Sequence, residues 1–297
     1  MKEERGFRIF TGAFALILML LVVAIAFELS RQSMLSIRKF GVSFWSGRTW
    51  DPVSGEFGAL PFIWGTLYSS FLALLIAAPI ALGIAVFINE ISPRVLRQPL
   101  TYLTEMLAAI PSIVYGLWGI FVLVPFVRRL EMLAPAWLKS LPLFKGPPLG
   151  VGMGSAALIL AVMVIPFSSA VAREILRSVP IAQREAAFAL GATRWEAIRI
   201  ALGYARIGII GAVMLGLGRA LGETMAVTMV IGNNPQVSAS LFAPQYTMAA
   251  VIANEFTEAA GDLYLQALIE VGLVLFLITI VINALSRLML WRLKRVR

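Results

Sequence analysis

The sequence predicts an all-α protein: a polytopic membrane helical bundle of six transmembrane helices forming one domain over residues 1–297. Three observations carry this. Apolar residues make up 60% of the chain and charged residues only 14%, against roughly 25% charged in soluble domains. Several apolar runs exceed the roughly 20 residues that cross a bilayer as a helix. No Gly/Ser-rich or charged linker divides the chain, and no internal repeat stands out. A soluble fold of this length would still need a polar surface, so lipid must solvate much of the chain.

The spans are expected over Phe7–Leu29, Phe62–Asn89, Leu100–Val124, Val151–Arg173, Ile207–Gly232 and Tyr264–Leu290. The first follows a basic start (Lys2, Arg5, Arg8) and contains Ala24-Ile25-Ala26, a small-x-small pattern like a cleavage site. Its apolar run from Ile9 to Phe27 is longer than a signal-peptide core, so an uncleaved helix is expected. With the N-terminus inside, the inner segments hold 16 Lys and Arg and the outer loops hold 8. Positive charge marks the cytoplasmic side. The sequence therefore predicts a multi-pass protein of the cell (inner) membrane with both termini cytoplasmic. The net charge of +9 is explained by topology and anionic headgroups, and nucleic acid is not expected as a partner.

Neither cysteine nor histidine occurs. That excludes disulfides, thiol chemistry and most transition-metal sites, so no metal is expected. No G-x-x-x-x-G-K-[ST] loop is present, so the chain should not hydrolyse ATP. No catalytic residues and no bound cofactor are expected.

The aromatics Phe44, Trp45, Trp50, Phe57, Phe62 and Trp64 gather at the outer end of the second span. Either an interfacial belt or a docking surface for an external partner would use them. The loop around them, with Trp50-Asp51-Pro52 and several glycines, is expected to be ordered in turns.

The longest inner connection, residues 173–206, reads as a hairpin of two short helices. Pro180 suits a first helical turn. Gly191 can take the left-handed conformation that ends a helix. Thr193-Arg194-Trp195-Glu196 reads as a capping box opening the next. This hairpin could lie on lipid with its arginines toward headgroups, or it could be a rigid knob gripped by another protein. A DNA-binding role does not suit a segment whose two ends enter membrane spans.

The fifth span carries Arg219 and Glu223, four residues apart, which on a continuous helix share one face. Arg219 lies 12 residues past Ile207, or roughly 18 Å along the axis, near mid-membrane. Buried charge there is costly and is functional by default. The pair is read either as a structural ion pair, with Gly218 and Gly222 as a packing seam, or as a gated anion site. In the second reading Arg219 binds an oxyanion through a forked contact and Glu223 holds the arginine when the site is empty. Thr224 and Asn233 belong to the same segment. In the third span Pro111 removes a helix hydrogen bond, and Ser112 and Gly116 can accommodate a local opening. That leaves a kinked packing helix or a kink exposing backbone to a pathway. Glu105, one turn before, has no partner legible in the sequence.

The inner hairpin resembles the EAA loop of type I ABC importer permeases, E-A-A, three residues, then G, with Glu185, Ala186, Ala187 and Gly191 at those positions. The family often continues to Leu-Pro, where this chain has Gly203-Tyr204. The segments FGALPFIWGTL (57–67), IPSIVYGLWGIFVLVP (110–125) and GRALGETMAVTMVIGN (218–233) are similar to permeases of the bacterial phosphate-specific importers. The resemblance covers most of the chain from Trp50 onward. It implies the type I ABC importer permease (MetI-like) fold, with ATP-driven import of inorganic phosphate by alternating access. The implied partners are a second homologous permease subunit, a cytoplasmic ATPase dimer that binds the ATP, and an external phosphate-binding protein, all within membrane lipid. It also implies that Arg219, Glu223, Ser112, Thr224 and Asn233 line the substrate pathway, and that Glu185, Ala186, Ala187 and Gly191 couple to the ATPase. Another oxyanion importer, the sister phosphate permease, an ion-coupled secondary carrier and a non-transporting membrane scaffold are the alternatives. A carrier would explain the intramembrane charges but leaves the hairpin without a role.

Overall fold

The computed structural model describes residues 2–295, with side chains placed from Phe7 to Arg292. Arg297, and the side chains of Lys2, Arg5, Lys294 and Arg295 that enter the charge count, lie outside the described residues. Six helices among the described residues are long and apolar enough to span a membrane: Phe7–Gln32, Leu60–Ile91, Ser112–Leu133, Met153–Arg177, Arg194–Leu221 and Asp262–Arg292. They run alternately between an end that carries the hairpin and a far end.

The fourth span is the axis of the bundle. Two thirds (67%) of its most apolar window is buried, against 33% or less in any other span. It packs on the second span, on the fifth and on the helix Arg94–Ala109. Without a hydrophobic drive between helices in lipid, close packing of small residues must hold such a centre. The contacts fit this. Ala73 and Ala77 of the second span are fully buried, in one apolar cluster with Ala156, Ile159 and Leu160 of the fourth. Gly208 of the fifth span lies so close to Ile175 that a Cβ there would sit 2.5 Å from it.

Two expected spans are cut differently. The third is not one kinked helix over Leu100–Val124. Arg94–Ala109 is a separate helix with no buried residue, and a new helix starts at Ser112. Proline disfavours helical backbone at the residue before it, and Ile110 is extended at ψ 130°. The span continues through a π-helical turn over Gly119–Leu123. Glu105 finds its partner in Arg173 of the fourth span, at 2.8 Å.

The fifth span begins at Arg194, not Ile207, and its helix runs unbroken to Leu221. The expected second short helix of the hairpin is therefore the start of this span, because nothing between Arg194 and Ile207 stops it. The first short helix is Ile181–Ala189, entered at Pro180. Gly191 has φ +81°. Gly191 N–H bonds to Phe188 C=O and Ala192 N–H to Ala187 C=O, both at 3.0 Å, the bond pair of a Schellman stop. Thr193 and Glu196 then exchange both bonds of a capping box.

At the far end, short helices Met34–Phe40 and Ser43–Ser46 lead into a two-stranded hairpin pairing Trp50 with Phe57. Phe44 and Phe62 are fully buried, and Trp50 and Phe57 nearly so. Trp50 packs edge-on against Phe57 and Phe62, and its Nε1 donates to Glu255 at 2.8 Å. These four aromatics form a core, so neither belt nor docking surface describes them. Trp45 and Trp64 alone of the six remain exposed.

Candidate functional site

The fifth helix stops halfway along the fourth. A Cβ on Gly216 would sit 2.4 Å from Ser168 Oγ and 2.9 Å from Val164, so Gly216 is level with the midpoint of Met153–Arg177. Arg219, one turn later, holds its guanidinium carbon 5.8 Å from the centre of the Phe167 ring. That is within cation–π reach. Its Nε is buried with no hydrogen-bond partner. The cation also sits in the last turn of its helix, where the dipole favours positive charge.

Beyond Leu221 the chain leaves helical form over residues 222–224 and resumes in the short helix Met225–Val230. Val230 C=O accepts from Gly152 N–H at the far end of the fourth span. The crossing is therefore made by a broken helix. Non-helical backbone at membrane depth is tolerated where protein buries it or a cavity wets it.

This break corrects the expected geometry of Arg219 and Glu223. They do not share a face of one helix, and no carboxylate comes within 4.0 Å of Arg219 among the described residues. Glu223 instead accepts from Ala226 N–H at 3.4 Å, capping the following helix. Thr224 precedes that helix, and its carbonyl accepts from both Thr228 N–H and Thr228 Oγ1. Asn233 lies beyond the helix at φ +50°, with Nδ2 donating to Thr228 C=O at 3.0 Å. Ser112 is half-buried in the first turn of the third span. One turn on in the same helix, Gly116 packs on Ala226 and Met229 of the short helix after the break. The structure thus places Arg219, Glu223 and Thr224 together at mid-depth, while Ser112 opens a helix that packs on Met225–Val230. Asn233 lies a short helix away.

Two neighbours of Arg219 were not singled out by sequence: Phe167, and Tyr115, which lies within electrostatic reach of the guanidinium. Tyr115 also donates to Leu107 C=O at 2.8 Å, bridging the break at Pro111. The one sequence signal for Phe167 is Pro166-Phe167-Ser168-Ser169, a proline with two hydroxyls inside an apolar span.

At the opposite site, Glu185, Ala186 and Gly191 are exposed on the hairpin and Ala187 is buried. Ile181, Phe188, Leu190 and Trp195 are exposed along the hairpin, Leu190 at its tip with 90% exposure. Among the described residues no group of acidic side chains could hold a metal ion.

The fold is that of a known class. A profile described as binding-protein-dependent transport system inner membrane component matches residues 77–295. The phosphate transport system permease protein PstC of Pasteurella multocida is 48% identical over 98% of this chain and 93% of its own length. That of Mesorhizobium japonicum is 47% identical over 95% of this chain and 88% of its own. A probable PstC of Methanocaldococcus jannaschii is 36% identical over 96% and 93%. Among solved structures, the inward-facing MetNI methionine ABC transporter aligns at TM-score 0.59 and 18% identity, covering 78% of this chain and 94% of that one. An amino acid ABC transporter aligns at 0.52 and 24%, covering 82% and 99%. The chain is a multi-pass membrane protein that belongs to the binding-protein-dependent transport system inner membrane components and, within them, to the PstC phosphate permeases.

Proposed function

We propose that this chain is one of two membrane-spanning subunits of an ATP-driven importer of inorganic phosphate and forms half of its translocation pathway. It is a transport subunit rather than an enzyme. ATP is hydrolysed by a cytoplasmic ATPase pair, and phosphate is delivered to the far end by an external binding protein. Both termini and the hairpin are cytoplasmic. The observation that carries this reading is the mid-depth break, with Arg219 beside it holding a buried nitrogen that has no acceptor. A permeating oxyanion would supply that acceptor, and the delocalised guanidinium presents a planar fork to it. Glu223 keeps the break open by capping the next helix, and Thr224 and Ser112 supply polar groups alongside. Asn233 stands nearer the entrance.

The hairpin transmits the motion. The ATPase grips Glu185, Ala186 and the apolar tip. Gly191 holds the turn, and the helix from Arg194 carries displacement to Arg219 without interruption. A site that binds weakly enough to release its ion is what conduction requires, and a single arginine fits that. Radiolabelled phosphate uptake into vesicles holding the assembled importer tests the proposal. Uptake should need both ATP and the binding protein. Uptake driven by an ion gradient alone would instead identify a secondary carrier.

A further inference from the structure

A second basic site lies away from the mid-depth break. Where the second span ends, the exposed helix Arg94–Ala109 leans on the fourth span and leaves a cavity of about 330 Å³. Pockets that hold small molecules begin at about that size. Arg94, Arg97, Arg173 and Arg177 line it, with Gln98 and Thr101. Four guanidinium groups around one small cavity repel one another unless an anion joins them.

The carboxylates nearby do not do this. Arg173 takes both Glu105 (2.8 Å) and Glu174 (3.1 Å), and Thr101 Oγ1 accepts from it at 2.7 Å. Arg94, Arg97 and Arg177 have no ion pair among the described residues. Arg173 itself is buried, and its Nε has no hydrogen-bond partner. The cavity therefore offers three unpaired cations and three neutral polar side chains, Asn89 with Gln98 and Thr101, beside the buried Arg173. Fixed forks of N–H donors of this density match the tetrahedral oxygens of a phosphate group better than a single carboxylate.

We infer that this cavity binds a phosphate group, either free inorganic phosphate or the headgroup of an anionic phospholipid. Its place at the hairpin end, on an otherwise exposed amphipathic helix, suits both sources. Basic clusters beside membrane spans attract anionic headgroups, and an ion leaving the pathway at this end would meet the same charges.

Native mass spectrometry of the full chain in its assembled, delipidated complex separates the sources. One arm adds phosphatidylglycerol, with diacylglycerol as the uncharged control. The other adds inorganic phosphate to an Arg219→Gln background, so that the mid-depth arginine does not contribute and its failure is scored apart. At least one probe should be retained, and the triple variant Arg94→Gln/Arg97→Gln/Arg177→Gln should weaken retention about tenfold or more. Loss of phosphatidylglycerol alone assigns a lipid headgroup, and loss of phosphate alone assigns the free ion. If the triple variant does not assemble, Gln98→Glu, one exposed substitution placing a carboxylate in the cavity, should have the same effect. Retention of neither probe, or equal retention by the altered complexes, overturns the inference.

Discussion

Arg184 joins the hairpin to the end of the second span: its Nε lies 3.3 Å from Glu90 Oε2 and a terminal nitrogen 2.7 Å from Oε1. The same guanidinium donates to the carbonyls of Val179 and Leu176, both at 3.1 Å, and Arg194 donates to Glu90 C=O at 2.7 Å. The side chains are only 19% and 11% exposed, so the pair is mostly desolvated. Arg184→Gln leaves Glu90 unpaired and should cost about 2–3 kcal/mol, somewhat less than a fully buried pair. The double variant with Glu90→Gln should recover most of it. Thermal unfolding of the purified complex checks both. An additive double variant would mean the two side chains do not act on each other.

Arg219 and Glu223 should behave independently, because they are not paired. Arg219→Gln should abolish phosphate uptake with normal complex yield. Arg219→Lys should leave little uptake, since the charge stays and the fork is lost. Glu223→Gln keeps an acceptor for Ala226 N–H and should assemble normally, whereas Glu223→Ala loses the cap and about 1 kcal/mol. Complex yield and uptake for the four variants decide. Full uptake by the Arg219→Gln/Glu223→Gln double variant would rule out the anion role.

Two glycines of the second span give an internal control for packing. A Cβ on Gly65 would lie 2.1 Å from Tyr246 C=O, while one on Gly83 meets nothing within 4 Å. Gly65→Ala must push away backbone of the segment after the broken helix, and overpacking of this kind costs about 1–3 kcal/mol or more. Gly83→Ala should be neutral or slightly stabilising. Equal melting temperatures would show that residues 231–247 do not rest on the second span.

Orientation can be read by single cysteines, since the chain has none. Leu190 and Val53 are 90% and 97% exposed at opposite ends of the bundle. A membrane-impermeant maleimide added to intact cells should label Val53→Cys and spare Leu190→Cys. The reverse pattern would invert the topology.

Local chemistry made the hairpin legible. Gly191 and the Thr193–Glu196 box each have one geometric consequence and adopt it, while Pro180 stands just before the first turn, as the N-cap of Ile181–Ala189. Composition likewise made the number of spans legible. The interior of the fifth span was not. Leu221 to Val230 reads as continuous apolar helix with one acidic residue, and a break there depends on what Gly216 and Gly116 pack against. Those are contacts across the bundle that no local pattern carries. The third span differs the other way: Pro111 in the sequence suggests a bend, but extended backbone at Ile110 makes it a stop. The far-end aromatics are ambiguous in sequence because surface and core use the same residue types there, and only contacts with Tyr264 and Glu255 separate the two.

The first span has none of its most apolar window buried. It touches the sixth span and the short helix after it, and little else. Its stability is then a partition coefficient rather than a jigsaw. A substitution scan over residues 9–27 should rank variants by transfer free energy into hydrocarbon, nearly blind to shape. The same scan over Met153–Arg177 should rank them by volume and fit. One chain thus carries two substitution grammars, one set by the solvent and one by the neighbours.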